Sequence, residues 1–347
     1  MVALLPACGG GGGGPTTPPV TTPPSSGELL STTGLYTNIA AKTVDPRNRP
    51  WVPQYVLWSD GGAKERWIFL PPGTRIDTSD MDRWVFPVGT KIYKEFVFQG
   101  KRVETRIIEK VGGAASLDSW TFKAFQWRAD DSDAVLVPDA GVANAAPTGL
   151  GTMHDIPSVT NCRSCHNRGG DAVLGFDVLQ LSADRDPLAI AAGRLEPGDL
   201  TVRDLMDQGL LTRNPSEQAR IFSATPAGRW AMGFMHGNCG NCHNPASGSS
   251  GGATGMNLRH TVAATREADE PAYATTVNRL NIVYQVEGTV LGINSFRILG
   301  GVPDRSAVVT RMRVRGSSHA MPPIASKAVD TDALGLITDW VNRLPPP

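Results

Sequence analysis

Between residues 60 and 140 the apolar positions fall in short runs broken by turn residues. Trp67-Ile68-Phe69-Leu70 is an apolar run ended by Pro71-Pro72-Gly73, since proline offers no N–H to a strand ladder and glycine admits the turn. Lys91 to Phe98 carries Ile92, Tyr93, Phe96, Val97 and Phe98. Gln99-Gly100 then reverses the chain, and Arg102 to Ile108 returns with Val103, Thr105 and Ile107 on one face, which predicts a hairpin. Trp120 to Trp127 and Ala134 to Val137 predict two more strands, with Asp130-Asp131-Ser132-Asp133 as the turn between them. Short strands at this spacing predict a β-sandwich or barrel-like domain over residues 28–147.

Beyond residue 148 the period changes. Pro187 to Gly193 and Leu200 to Leu211 read as short helices between Gly/Pro breaks. The last helix is the clearest: Asp330 or Thr331 caps it, Leu336, Ile337, Trp340, Val341 and Leu344 recur at helical spacing, and Pro345-Pro346-Pro347 stops it.

Composition narrows the picture. Lys plus Arg and Asp plus Glu both number 33, so the formal charge is zero, and no basic surplus points to a nucleic-acid partner. The 38 Gly and 27 Pro predict loop-rich domains. No run reaches the roughly 18 consecutive apolar residues of a membrane span. Much of the Gly and Pro lies in residues 1–27, where a Gly tract runs into a Thr/Pro-rich spacer, a flexible and then semi-extended linker. Leu5-Pro6-Ala7-Cys8 ahead of it resembles a bacterial lipobox, so Cys8 is the expected lipidation site. Met1 to Ala7 is too short for a full signal peptide, which places the expected translation start upstream. Gly9 after the cysteine points to an outer-membrane lipoprotein, held to the membrane by its lipid anchor.

The other four of the five cysteines carry the chemistry. Cys162-Arg-Ser-Cys165-His166 and Cys239-Gly-Asn-Cys242-His243 are both C-x-x-C-H runs, the attachment signature of a c-type haem. Two thiols three residues apart on one helical turn can form thioethers with the two vinyl groups of one porphyrin. The following histidine then stands under the ring, where its imidazole binds iron. A four-thiolate zinc site leaves both histidines unexplained. A thioredoxin-like motif needs a βαβ setting, and the surroundings are rich in Gly, Asn and Pro. Disulfides closing such short gaps would be strained. Two covalently bound haem c groups are therefore expected, in cytochrome c-like helical domains at 148–225 and 226–347. Haem c is attached outside the cytoplasm.

The far side of each iron needs a second ligand or an open position. Met321 in His319-Ala320-Met321-Pro322-Pro323 resembles an axial-Met loop and is the expected distal ligand of the second haem, with His319 in reserve. Candidates for the first haem are His154, Met153, Met206 and His236. A histidine as close to its own motif as His154 or His236 reaches the other ring, or a propionate, more easily than its own. Met206 suits a helix core. Arg163, Arg168, Arg229 and Asn241 lie beside the motifs as possible propionate partners. No Cys or His falls between Cys8 and His154, so no histidine-based metal site belongs to the β region.

The order of motifs resembles a known family. Trp58-Ser59-Asp60-Gly61-Gly62, Leu70-Pro71-Pro72-Gly73, Phe86-Pro87-Val88-Gly89-Thr90 and Val103-Glu104-Thr105-Arg106 are similar to the N-terminal part of the predicted dihaem c-type cytochromes of Gram-negative bacteria. His154-Asp155-Ile156-Pro157-Ser158, Leu174-Gly175-Phe176, Gln180-Leu181-Ser182, His236-Gly237-Asn238 and Met321-Pro322-Pro323 extend the likeness through the haem segments, over roughly residues 50–345. The resemblance implies a β domain fused to two haem segments and electron transfer as the role. Two covalent haems in one short stretch suit a carrier whose expected partners are periplasmic or surface redox proteins. Two other readings compete with a carrier. One is a peroxidase-like oxidoreductase with one open haem and His154 or His236 as acid/base group. The other is a binding module built on the tryptophans of the β region, Trp51, Trp58, Trp67, Trp84, Trp120 and Trp127, which equally well form a core.

Overall fold

A computed structural model describes residues 20–22, 27–189, 194–288 and 290–347. Cys8 lies outside the described residues, as does the end of the helix expected at Pro187–Gly193, whose described part is a turn.

The β-rich part holds three sheets. β1 (Tyr36–Asn38) and β2 (Thr43–Val44) form a small ribbon, and β9 (Val142–Pro147) pairs with β10 (Met153–Ile156). The main sheet is antiparallel and runs in chain order: β3 (Arg49–Pro50), β4 (Ala63–Phe69), β5 (Lys91–Phe98), β6 (Lys101–Lys110), β7 (Trp120–Trp127) and β8 (Ala134–Leu136). The β5–β6 hairpin turns at Gln99 and Gly100, whose φ values of 49° and 75° are both positive, as a tight two-residue turn matched to strand twist requires.

Because side chains alternate across a strand, the sheet has two distinct faces. One carries Trp67, Tyr93, Ile107, Phe125 and Trp127 and is covered by Leu30, Leu35 and Tyr36 of the N-terminal segment. The other carries the cross-strand row Ile68–Ile92–Ile108–Phe122, and those residues belong to one core with Phe176, Leu179, Leu205, Met232, Ile337 and Trp340 of the C-terminal part. The expected sandwich is therefore resolved into one large sheet whose second face is covered by helical and loop segments rather than by another large sheet. Each fully buried Leu, Ile or Phe in such a core contributes about 1.5–3 kcal/mol.

The helices are short: α1 (Val159–His166), α2 (Val202–Asp207), α3 (Pro226–Asn238), α4 (Pro271–Thr276), α5 (Ala307–Met312) and α6 (Thr331–Arg343). The Asp330 side chain caps α6 by accepting from the Ala333 N–H. α6 packs on α3, and Trp340 sits at the crossing against Gly228. Five of the six β-region tryptophans are buried in the cores, and Trp58 is half-buried. No helix among the described residues is long and apolar enough to cross a membrane.

Candidate functional site: two CxxCH motifs and a cationic cavity

The first motif lies on α1. The sequence Val-Thr-Asn-Cys-Arg-Ser-Cys-His has little intrinsic helix preference, so its order comes from outside. Ser158 caps it through the Asn161 N–H, and α1 packs on β7, where Phe122 meets the His166 ring edge-on at 5.3 Å. The second motif follows the end of α3 in a helical turn, with the His243 N–H bonded to the Cys239 carbonyl at 2.8 Å. All four cysteines are free thiols. The two motifs are neighbours: Cys165 and Cys242 act on each other, which raises Cys165 and lowers Cys242. Ser247 Oγ and the Gly248 N–H both bond the Asn167 carbonyl. Among the described residues no three His, Cys, Asp or Glu side chains are grouped so as to share one metal ion.

The two motif histidines are held in the same tautomer. His166 Nδ1 bonds the Ala172 carbonyl, and a carbonyl can only accept, so Nδ1 carries the proton and Nε2 keeps its lone pair. His243 Nδ1 lies 3.1 Å from Thr254 Oγ1, whose own hydrogen goes to the Gly251 carbonyl, so here too Nδ1 donates. Burial pushes both rings down to about 4, so they are neutral at ordinary pH. A neutral imidazole with Nδ1–H directed into a protein acceptor and Nε2 free is the form that binds a metal.

The Ala172 carbonyl is itself fixed by the β region. Asp171, next to it, is buried and takes Lys110 Nζ at 2.5 and 2.6 Å, Trp120 Nε1 at 3.1 Å and the Phe86 N–H at 2.6 Å. Nothing in the local sequence announces this clamp, because its partners come from β6, β7 and the loop before β5.

Beside the first motif is a cavity of about 370 Å³, lined by Cys162, Cys165 and His166, by the sheet, and by residues 323–327 of the loop after Met321. That volume is within the roughly 300–1,000 Å³ of cofactor sites. His154 and His236 both line it, so His236, adjacent in sequence to the second motif, stands at the site of the first. Their chemistry differs. His154 Nε2 lies 2.9 Å from Glu104 Oε1, and its ring stacks on Phe96 at 5.8 Å and meets Phe98 at a tilt at 4.6 Å. Because an ionised carboxylate accepts only, Nε2 carries a proton, and in the neutral ring Nδ1 is the nitrogen that keeps the lone pair. His236 Nδ1 accepts the His260 N–H at 2.9 Å, which leaves the neutral ring's proton on Nε2, on the side of Asp177 at 3.7 Å. His236 is thus a donor in this arrangement and has no lone pair to give a metal. His260, which carries no motif, sets that tautomer. It is fully buried and its Nδ1 bonds Glu270.

Glu104 is completely buried. Burial alone would raise its carboxyl, but the Arg106 guanidinium and the His154 ring outweigh it and hold the group down at about 2. Burial pushes Arg168, which also lines the cavity, down to about 9. Arg163 and Arg229 are committed elsewhere, to Asp118 and Asp184. Asn241 lines the cavity with Arg168.

Met321 is held through its N–H to the Arg311 carbonyl at 3.0 Å, and Arg311 helps depress His243 after burial. Met321 and His243 therefore share Arg311 as a neighbour. His319 is exposed, its ring against Tyr284 at 5.1 Å. Met206 packs on the core, and Met153 is buried in β10. Comparison of the chain with protein-family models, curated proteins and solved structures finds no match.

Proposed function

We propose that this protein is a dihaem c-type cytochrome that transfers electrons outside the cytoplasm. One haem c is held by Cys162, Cys165 and His166, the other by Cys239, Cys242 and His243. The observation that carries this reading is the shared tautomer of His166 and His243, each with Nδ1–H in a protein acceptor and Nε2 free. Each cysteine thiol adds across a vinyl double bond, sulfur to one carbon and proton to the other, so no oxidant is consumed. Bound haem iron supplies one-electron redox chemistry. The chain supplies attachment, ligand orientation and charge.

Close as it is in sequence to the first motif, His154 lines the cavity beside that motif, and it is the distal ligand we assign to the first haem, oriented by Glu104, with Met321 the one we assign to the second. The mutual influence of Cys165 and Cys242 supports close neighbouring haems. The segments 148–225 and 226–347 are then cytochrome c-like units, one around each motif, that share a core with the sheet. Periplasmic or surface redox proteins are the partners, and a lipid on Cys8 is the membrane attachment, at the outer membrane.

One observation favours a second reading. His236 stands protonated on Nε2 at the cavity wall beside Asp177, which suits an acid/base group of a peroxidase-like site with an open first haem. Visible and electron-paramagnetic spectra of export-matured protein decide between them. The carrier predicts two haems resistant to acid-acetone extraction, both low-spin. His154→Ala should turn one haem high-spin, whereas His236→Ala should not. A high-spin haem in the unmodified protein, with peroxide turnover by a reduced donor, favours the enzyme. Colourless protein rejects both.

A further inference from the structure

The sheet face toward the cavity carries a row of cations. Arg66 of β4 stands directly opposite Lys94 of β5, and Lys94 directly opposite Arg106 of β6. All three line the cavity. Side chains directly opposite in an antiparallel pair have Cβ atoms about 4.5–5.5 Å apart, and like charges there repel. A fourth cation, Lys64, lies in the next row opposite Phe96.

Little on the protein offsets this charge. Glu104 is committed to Arg106 and His154. Among the described residues the Lys94 ammonium has neither hydrogen bond nor ion pair, only the face of Phe96 at 4.9 Å. Arg66 is buried, its guanidinium has no polar partner among the described residues, and it lies 5.9 Å from the centre of the Trp51 ring. Trp51 also lines the cavity, and its buried indole N–H has no acceptor among the described residues. Crowding and burial together push Lys64 down to about 7. Arg106 has Glu104 for a partner, whereas burial and the neighbouring cations push Lys94 well down, so an anion against the row would stabilise its charged form.

We infer that the Arg66–Lys94–Arg106 ladder, with the Trp51 indole N–H, is the cradle for the propionate carboxylates of the haem fastened at Cys162 and Cys165. This rests on the dihaem reading and gives the β region a task in it. The ladder and the first motif share one cavity, and the charge of Arg106 is felt by both Cys162 and Cys165. A porphyrin linked to those sulfurs brings two carboxylates into the same space. Guanidinium and ammonium donors hold carboxylates by charge-assisted hydrogen bonds.

The test uses export-matured holoprotein with Lys94→Met, Arg66→Met, the charge-conserving Lys94→Arg, and Lys101→Met as an exposed control on the same sheet. Covalent haem content is measured by mass, and both midpoint potentials are followed from pH 5 to 9. Lys94→Met and Arg66→Met should keep two haems, lower one of the two potentials and make it pH-dependent as its propionate loses its counter-charge. Lys94→Arg should restore the wild-type profile, and Lys101→Met should not depart from it. Lys94→Met removes a repulsion, so folding, followed by circular dichroism, should survive. Two haems with unchanged potentials and pH profiles in both Met variants overturn the cradle and leave the dihaem reading standing. A wild-type potential that responds to added inorganic phosphate, with that response lost in Lys94→Met, assigns the ladder to a free anion and overturns the propionate assignment. Wild-type protein without covalent haem overturns both.

Discussion

At the residue scale, the chemistry turns on which ring nitrogen carries a proton. Ala172, Thr254, Glu104 and the His260 N–H each fix one histidine, and three of the four rings retain a lone pair. The Glu104 carboxyl is also where pH acts on stability. Its folded value of about 2 lies below the ordinary 4.5. A depressed carboxyl contributes stability that is fully present above the unfolded value and is lost as pH falls through the folded one. The window is therefore about pH 4.5 down to 2, and the contribution is about 3 kcal/mol. Glu104→Gln should be less stable than wild type by that order at pH 7 and equal to it near pH 2. Denaturant titrations of holoprotein across that range measure this directly. A constant difference between the two proteins at every pH would rule out Glu104 as the titrating group.

At the element scale, the helix leading into the second motif is seated by absent side chains. A Cβ on Gly233 would lie 2.0 Å from the Tyr55 ring, and one on Gly237 would lie 2.4 Å from the Tyr55 carbonyl oxygen. The Tyr55 ring is buried and its hydroxyl is tied to Asp186 at 3.1 Å, so neither obstacle can step aside. Gly237→Ala should destabilise by about 1–3 kcal/mol through overpacking. Gly335 in α6 is exposed and meets nothing within 4 Å. Gly335→Ala should therefore stabilise by about 0.5–1 kcal/mol from helix preference alone. Thermal melts of the two variants should move in opposite directions, and a shared direction would discard the seating argument. Much at this scale was legible in the chain. The ends of β5, β7 and α6 follow from Gln99-Gly100, the apolar run to Trp127 and the Asp330 cap. The small β9–β10 sheet was not, because its strands are short and rich in alanine and polar residues. The cation ladder was invisible as well, since Arg66, Lys94 and Arg106 each look like an ordinary strand charge until register aligns them. His260 was missed because neither a motif nor a period marks it.

At the scale of the whole molecule, the expected boundaries at 147 and 225 divide the sequence but not the packing. The row Ile68–Ile92–Ile108–Phe122 and the C-terminal Leu179, Met232 and Trp340 are one core. The Lys110–Asp171 pair ties β6 to the loop that orients His166, with both side chains buried. A fragment of residues 148–347 would expose that core face and strand the Asp171 carboxylate without Lys110, Trp120 or the Phe86 N–H. It should lack a cooperative unfolding transition and lose the low-spin signal of the first haem. In the full chain Asp171→Ala leaves Lys110 buried and unpaired, a change that costs about 3–5 kcal/mol. It also loosens the carbonyl that holds His166 Nδ1, so the first haem's spectrum should change along with the melting temperature. A substitution that lowers stability without altering either haem spectrum would make the clamp structural only. A fragment with two low-spin haems and its own sharp transition would mean that the haem segments fold without the sheet. The sheet could then be no wall of the first site, and the cradle would lose its place with it.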